Sequence, residues 1–138
     1  MSLNGNLFID AVVVKGTGRT FTVSINHLQE NSLTVFEPLD LNPYSIKFKI
    51  MGSSTADGKI LIEKLITQNS NPDVEGLIFD PNNGQFSFTV TAEDTINLGL
   101  GDFPIMLELV DPDTLETQFV LTEGGQQAEF NKIKIVQV

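Results

Sequence analysis

The stretch "DPNNGQFSFTVTAEDTINLGLGDFPI", residues 80–105, sets Asp80, Glu93, Asp94 and Asp102 among glycines, prolines and asparagines. Carboxylates on turns can ligate calcium, work as an acid/base pair, or form the polar corners of a β-domain. A calcium loop of the EF type wants Asp first, Asp or Asn third and fifth, Gly sixth and Glu twelfth. Counted from Asp80, this chain offers Asn82 third, Gly84 fifth, Gln85 sixth and Thr91 twelfth, so the register fails. "DPNNGQF" reads instead as a Pro-initiated turn ending in Asn-Gly, a strong hairpin signal.

Two other acidic clusters invite chemistry. Glycoside hydrolysis needs two carboxylates facing each other about 5–9.5 Å apart across a cleft. Glu93/Asp94 and Asp111/Asp113 are close in sequence but are expected at strand ends with their side chains in water, where no desolvation raises a pKa for acid catalysis. Asp111, Asp113 and Glu116 are the residues to consider for a surface calcium ion, because hard cations accept such oxygen clusters. Whether one binds is left open by the sequence.

"VVVKGTGRT" carries Lys15 and Thr20 around a glycine loop after a strand, as a phosphate loop would. That mechanism requires a helix N-terminus after the loop. Here "TFTVSI" follows, a strand pattern, and the segment is read as a hairpin. His27 is the only histidine, so it builds no multi-histidine metal site, and there is no Gly-x-Ser-x-Gly elbow for a triad. It is read as a loop histidine. Trp is absent and Tyr44 is the only Tyr, which leaves little for an aromatic sugar platform. No catalytic, cofactor-binding or metal-binding residue is assigned, no cofactor is expected, and the chain is not expected to be an enzyme.

The elements that would hold such residues are strands. Phe21, Val23 and Ile25 alternate with Thr22 and Ser24; Ile46, Phe48 and Ile50 with Lys47 and Lys49; Phe86, Phe88 and Val90 with Ser87, Thr89 and Thr91. Each pattern buries one face of a sheet and wets the other. Ile105, Leu107 and Leu109 share a face, with Met106 and Val110 opposite, so that strand is expected to be covered partly on both sides. "ADGKILIEKLITQN" admits a helical reading, but Ile60, Leu61, Ile62, Leu65 and Ile66 favour a strand. "TAEDTINLG" carries a helix start, with Thr91 as cap and Asp94 three residues on, closed by Gly99.

Turn chemistry separates the runs at Gly16-Thr17-Gly18, Asn42-Pro43, Asp57-Gly58, Asn83-Gly84, Asp111-Pro112-Asp113 and Gly124-Gly125. The expectation is all-β: a single antiparallel sandwich of eight to ten strands over residues 4–138, with one short helical turn near residues 92–98. Met1-Ser2-Leu3 reads as a vector-derived start.

The totals agree with one domain. A chain of 138 residues buries roughly 70% of its extended surface on folding. The ten Phe are read as core. With no cysteine there are no disulfides and no thiolate chemistry. The longest apolar run, Ala11-Val12-Val13-Val14, is far short of the roughly 20 residues that span a bilayer. No signal peptide and no membrane association are expected. Net charge is −10, and the twelve carboxylates between Leu65 and Asn131 have no Lys or Arg among them. Phosphate binding needs clustered cations, so nucleic acid is a poor partner. The acidic stretch is read as a solubilising surface or as a docking face for a basic partner.

"LDLNPYSIKFKI" (39–50), "FDPNNGQFSFTVTAEDTINLGLGDFPIMLELVD" (79–111) and "ETQFVLTEGGQQAEFNKIKIVQV" (116–138) together resemble the N-terminal module of phage baseplate upper proteins, an immunoglobulin-like family. The likeness covers about four-fifths of the chain and rests on strand rhythm and turn residues. It implies an early strand pair, an immunoglobulin-like sandwich and a virion structural role in the tail or baseplate, in multiple copies and without catalysis. Other phage structural proteins would be the partners, with self-association. Larger members of the family carry a helical or fibre-like extension, which this sequence does not show after its last strand. The alternative is an adhesion or carbohydrate-binding sandwich, calcium-dependent if the Asp111 cluster binds an ion.

Overall fold

The computed structural model describes residues 10–29, 31–32, 34–52, 59–121 and 132–137. The expected turns at Asp57-Gly58 and Gly124-Gly125, and the Met1-Ser2-Leu3 start, lie outside the described residues. In chain order the elements are β1 (Asp10–Val14), β2 (Arg19–Ser24), β3 (Asn26–Leu28), β4 (Phe36–Pro38), β5 (Ser45–Met51), β6 (Ile60–Ile66), β7 (Gly76–Asp80), β8 (Gln85–Val90), α1 (Ala92–Leu98), β9 (Gly101–Val110), β10 (Thr117–Leu121) and β11 (Lys132–Val136).

Alternation in the sequence becomes two layers. The larger sheet runs β1-β11-β9-β5-β6, with β10 also on β9; the smaller runs β2-β8-β7, and β3 and β4 form a separate two-stranded arm. The three-stranded β2-β8-β7 sheet facing the β11-β9-β5-β6 sheet is the variable-type immunoglobulin arrangement. One pair is parallel, β1 with β11. That pairing changes the reading of residues 12–20: β1 and β2 lie in different sheets, so "VVVKGTGRT" is a crossover between layers and not a hairpin.

Between the layers one hydrophobic cluster joins both sheets. Phe48 of β5 and Phe86 and Phe88 of β8 are fully buried. The Phe48 and Phe88 rings meet at 4.6 Å between centroids, and Phe21 stacks on Phe88 at 4.9 Å. Aromatic contacts of this kind add to area burial and take the place of an inter-sheet disulfide in a chain without cysteine. Among the described residues two phenylalanines depart from the core expectation: Phe36 on the short β4 strand and Phe79 on the edge strand β7 are exposed.

The outer face of β8 also departs from expectation: Ser87 and Thr89 are buried, not wet. The segment before β7 folds over Thr89, and β7 itself, through Leu77, meets Ser87. Thr89 Oγ1 donates to the Pro72 carbonyl at 2.6 Å, and Ser87 Oγ accepts from the Leu77 N–H at 3.1 Å. Hydroxyls suit this position because they satisfy the covering backbone. "KILIEKLI" is a strand, as its β-branching indicates, and β9 is covered on both faces in part: Glu108 and Val110 are buried outside as Ile105, Leu107 and Leu109 are inside. The helix occupies the expected residues, and its capping box is complete: Thr91 Oγ1 accepts from the Asp94 N–H at 3.1 Å while Asp94 Oδ2 accepts from the Thr91 N–H at 2.8 Å.

Candidate functional site

β9 and the β8–β9 link position Glu93, Asp94, Asp102 and Glu108, and the structure pairs the innermost of them with lysines. Asp94 does not face water as expected. Its side chain is 16% exposed and forms an ion pair with Lys64, whose side chain is 9% exposed. Lys64 sits on β6 opposite Phe48, on the inward side with Ile62 and Ile66. Its ammonium crosses to the other layer and donates to Asp94, to the Val74 carbonyl at 2.7 Å and to the Thr89 carbonyl at 2.9 Å. All three donors are used, which is the condition for holding a charge there. Glu93 is exposed on the first turn of α1, so the Glu93/Asp94 pair is split between solvent and interior.

Glu108 is the second internal carboxylate. It lies on the outer face of β9, opposite Lys47 on β5 and Val120 on β10. Lys49 Nζ stands 2.8 Å from its Oε2, off hydrogen-bonding angle, so the contact is Coulombic. Glu63 and Lys47, 3.8 Å apart, extend a row of alternating charge across β9, β5 and β6. Alternation of this kind pins the pairing of strands on a half-open face. The sequence pattern had a signal for Lys64, a lone ammonium in step with Ile62 and Ile66; Glu108 had none, because its partner Lys49 lies on the adjacent strand β5, far back in the chain.

The other acids serve turns. Asp111 Oδ1 accepts from the Asp113 N–H at 2.8 Å and the Thr114 N–H at 3.1 Å, which closes the β9–β10 turn. These backbone donors, Thr114 first, hold the Asp111 carboxyl below its ordinary value of 3.8. Asp113 and Glu116 are exposed beside it, and among the described residues no group of three His, Asp or Glu is placed to hold a metal ion. Because the folded pKa is lowered, the Asp111 contribution to stability is fully present above pH 3.8 and lost as pH falls through the folded value. The melting-temperature gap between the parent and Asp111→Ala is expected to be constant at neutral pH and to narrow below pH 3.8. A gap of the same size at pH 3 and pH 6 would contradict it.

Asp80 accepts from Asn83 Nδ2 at 3.0 Å across the turn ahead of Gly84. Asp102 is exposed near the start of β9. His27 is on a strand and not in a loop: β3 brings it opposite Glu37 of β4, with Nε2 3.2 Å from Oε1. Gly16 and Thr17, the centre of the glycine loop, are engaged by α1, since the buried Thr95 Oγ1 accepts from the Gly16 N–H at 2.9 Å and lies 3.1 Å from the Thr17 carbonyl. No helix among the described residues is long and apolar enough to cross a membrane.

Among the described residues the surface carries exposed apolar side chains and solvated acids. No protein-family model matches the chain, and no curated protein matches it. Among solved structures the chain is similar to the NK cell receptor Nkp44, described as a triggering partner in natural cytotoxicity, at 16% identity with 93% of this chain and 97% of that chain covered. The TM-score of 0.39 gives that likeness no weight beyond the topology already described.

Proposed function

We propose that this protein is a non-catalytic assembly module, a phage or prophage virion structural component of the tail or baseplate that works through its surface. The observation that supports it best is the use of its internal charges. Asp94 and Glu108, the carboxylates drawn inside among the described residues, are each held by a lysine in a structural role, which is the opposite of a desolvated acid poised for proton transfer. Large apolar side chains left in solvent, by contrast, are what an interface uses. The sequence rhythm shared with the baseplate upper family points to the kind of assembly.

The test is co-assembly. Tagged protein mixed with tail proteins from the phage or prophage that encodes it is expected to co-sediment with baseplate subassemblies, and to show no hydrolase activity on glycan or peptide panels. A chain that stays free of tail proteins but binds a glycan on an array supports the adhesion reading instead. That second reading draws only on the exposed Phe36 and Phe79, which sit on different sheets.

A further inference from the structure

On the outer face of the larger sheet the strand registers set four side chains in one row. Val120 of β10 stands opposite Glu108 of β9, Glu108 opposite Lys47 of β5, and Lys47 opposite Leu65 of β6. All four share that face, because the residues beside them in their strands, Leu107, Leu109, Ile46, Phe48 and Ile66, are buried in the core. In the next row Met106 is opposite Lys49, and Lys49 is opposite Glu63.

From either end the first row runs apolar, charged, charged, apolar, and its two charges are opposite. A two-fold axis parallel to the strands and passing between β9 and β5 therefore lays the row on its own complement. Leu65 meets Val120 of a second copy and Lys47 meets Glu108 of that copy, each contact occurring twice. The same rotation lays the stem of Lys49 on the Met106 thioether of the copy. An axis along β9 would instead bring β5 over β11 and set Lys47 and Lys49 against Lys132 and Lys134, so charge selects the first axis.

Exposure favours the contact at the same residues. Leu65 and Val120 are 36% and 45% exposed, whereas the side chains of Lys47, Lys49 and Glu108 are 24%, 16% and 9% exposed. The apolar ends have water to lose, and the charged centre has already lost most of its own. Covering the row thus gains hydrophobic burial at a small desolvation cost. The net charge of −10 opposes self-association in general, but the row itself is neutral.

We infer that the outer face of β10, β9, β5 and β6 is a homodimer interface, occupied by the same face of a second copy about that two-fold. It supplies the self-association of the assembly reading above, on which its role rests. Four strands at about 4.8 Å spacing and six residues at about 3.4 Å rise give a contact of roughly 400 Å² in projection. That is the low end for a specific interface, so the dimer is concentration-dependent and not obligate.

The experiment is sedimentation equilibrium of the full chain from micromolar to millimolar concentration, with Leu65→Lys and Val120→Glu. The parent is expected to pass from monomer to dimer. Each variant is expected to weaken the dimer by about tenfold or more, since a charge then faces an apolar side chain at both contacts. Mixing the two variants one to one is expected to restore dimer. In the mixed pair the introduced ammonium meets the introduced carboxylate at one contact, and Leu65 meets Val120 at the other. Both positions are exposed, and amide spectra unchanged away from them show that the variants fold.

A parent that stays monomeric to millimolar concentration, a dimer indifferent to both substitutions, or variants that do not rescue each other would overturn the inference. So would a monomer whose binding of a tail protein is abolished by Leu65→Lys, which gives this face to that protein. Co-sedimentation of a strictly monomeric chain with baseplate subassemblies leaves the assembly function standing and removes only this interface. Mutual rescue in a chain that ignores tail proteins supports the interface and removes the virion role.

Discussion

Lys64→Ala is expected to destabilise the protein by about 3 kcal/mol, read from chemical denaturation. The substitution leaves Asp94 charged and mostly enclosed, and leaves the Val74 and Thr89 carbonyls without their donor. Removing one member of a buried ion pair typically costs about 3–5 kcal/mol, and the residual exposure of Asp94 places this case at the low end. The double variant Lys64→Met/Asp94→Asn is expected to lose less than the sum of its singles. With both charges gone no uncompensated ion stays in the interior, and Asn can still serve the capping box. A Lys64→Ala variant within about 0.5 kcal/mol of the parent would mean that the pair is a surface contact. In that case another element must join β6 to the smaller sheet.

Gly76→Ala is expected to be as damaging, at about 3 kcal/mol or more, or to prevent folding altogether. Gly76 has φ +121°, and a Cβ there would lie 2.1 Å from the Ser87 carbonyl oxygen and 2.7 Å from the Phe88 Cα. Both are backbone atoms of the central strand of the smaller sheet, so neither a rotamer change nor a flexible side chain can relieve the overlap. Relief requires β7 to move off β8, which uncovers the hydroxyls of Ser87 and Thr89. Gly99→Ala is the control. It also has positive φ, at +79°, with ψ −168°, but a Cβ would meet nothing within 4 Å, so only the conformational cost of that region, on the order of 1–3 kcal/mol, applies without a steric overlap. Thermal melts of the two variants separate these effects, and equal losses would refute the steric account.

Taken together the two sites describe how this sandwich is closed without a disulfide. Phe48, Phe86 and Phe88 fill its centre. At the β6/β7 edge the closure is polar on the inside, through Lys64, and backbone-tight through Gly76.

Much of this was written locally in the chain. Period-two patterning determined the strands around Val23, Phe48, Phe88 and Leu107, because burial of one face of a pleat depends only on alternate residues. Thr91, Asp94 and Gly99 determined the helix, because a cap needs only neighbours within a turn. Asn83-Gly84 determined the bend into β8, where Gly84 takes φ +68°. What only the tertiary structure decided involves partners distant in sequence. The parallel union of β1 with β11 turned an apparent hairpin into a crossover between layers. The cover over Thr89 comes from the loop around Pro72, which no periodicity announces. Asp94 reads as one more surface acid until the fold brings Lys64, thirty residues earlier, across the gap between sheets. Charges in a sequence carry no mark of the dielectric they will meet, since that depends on which strand lies opposite.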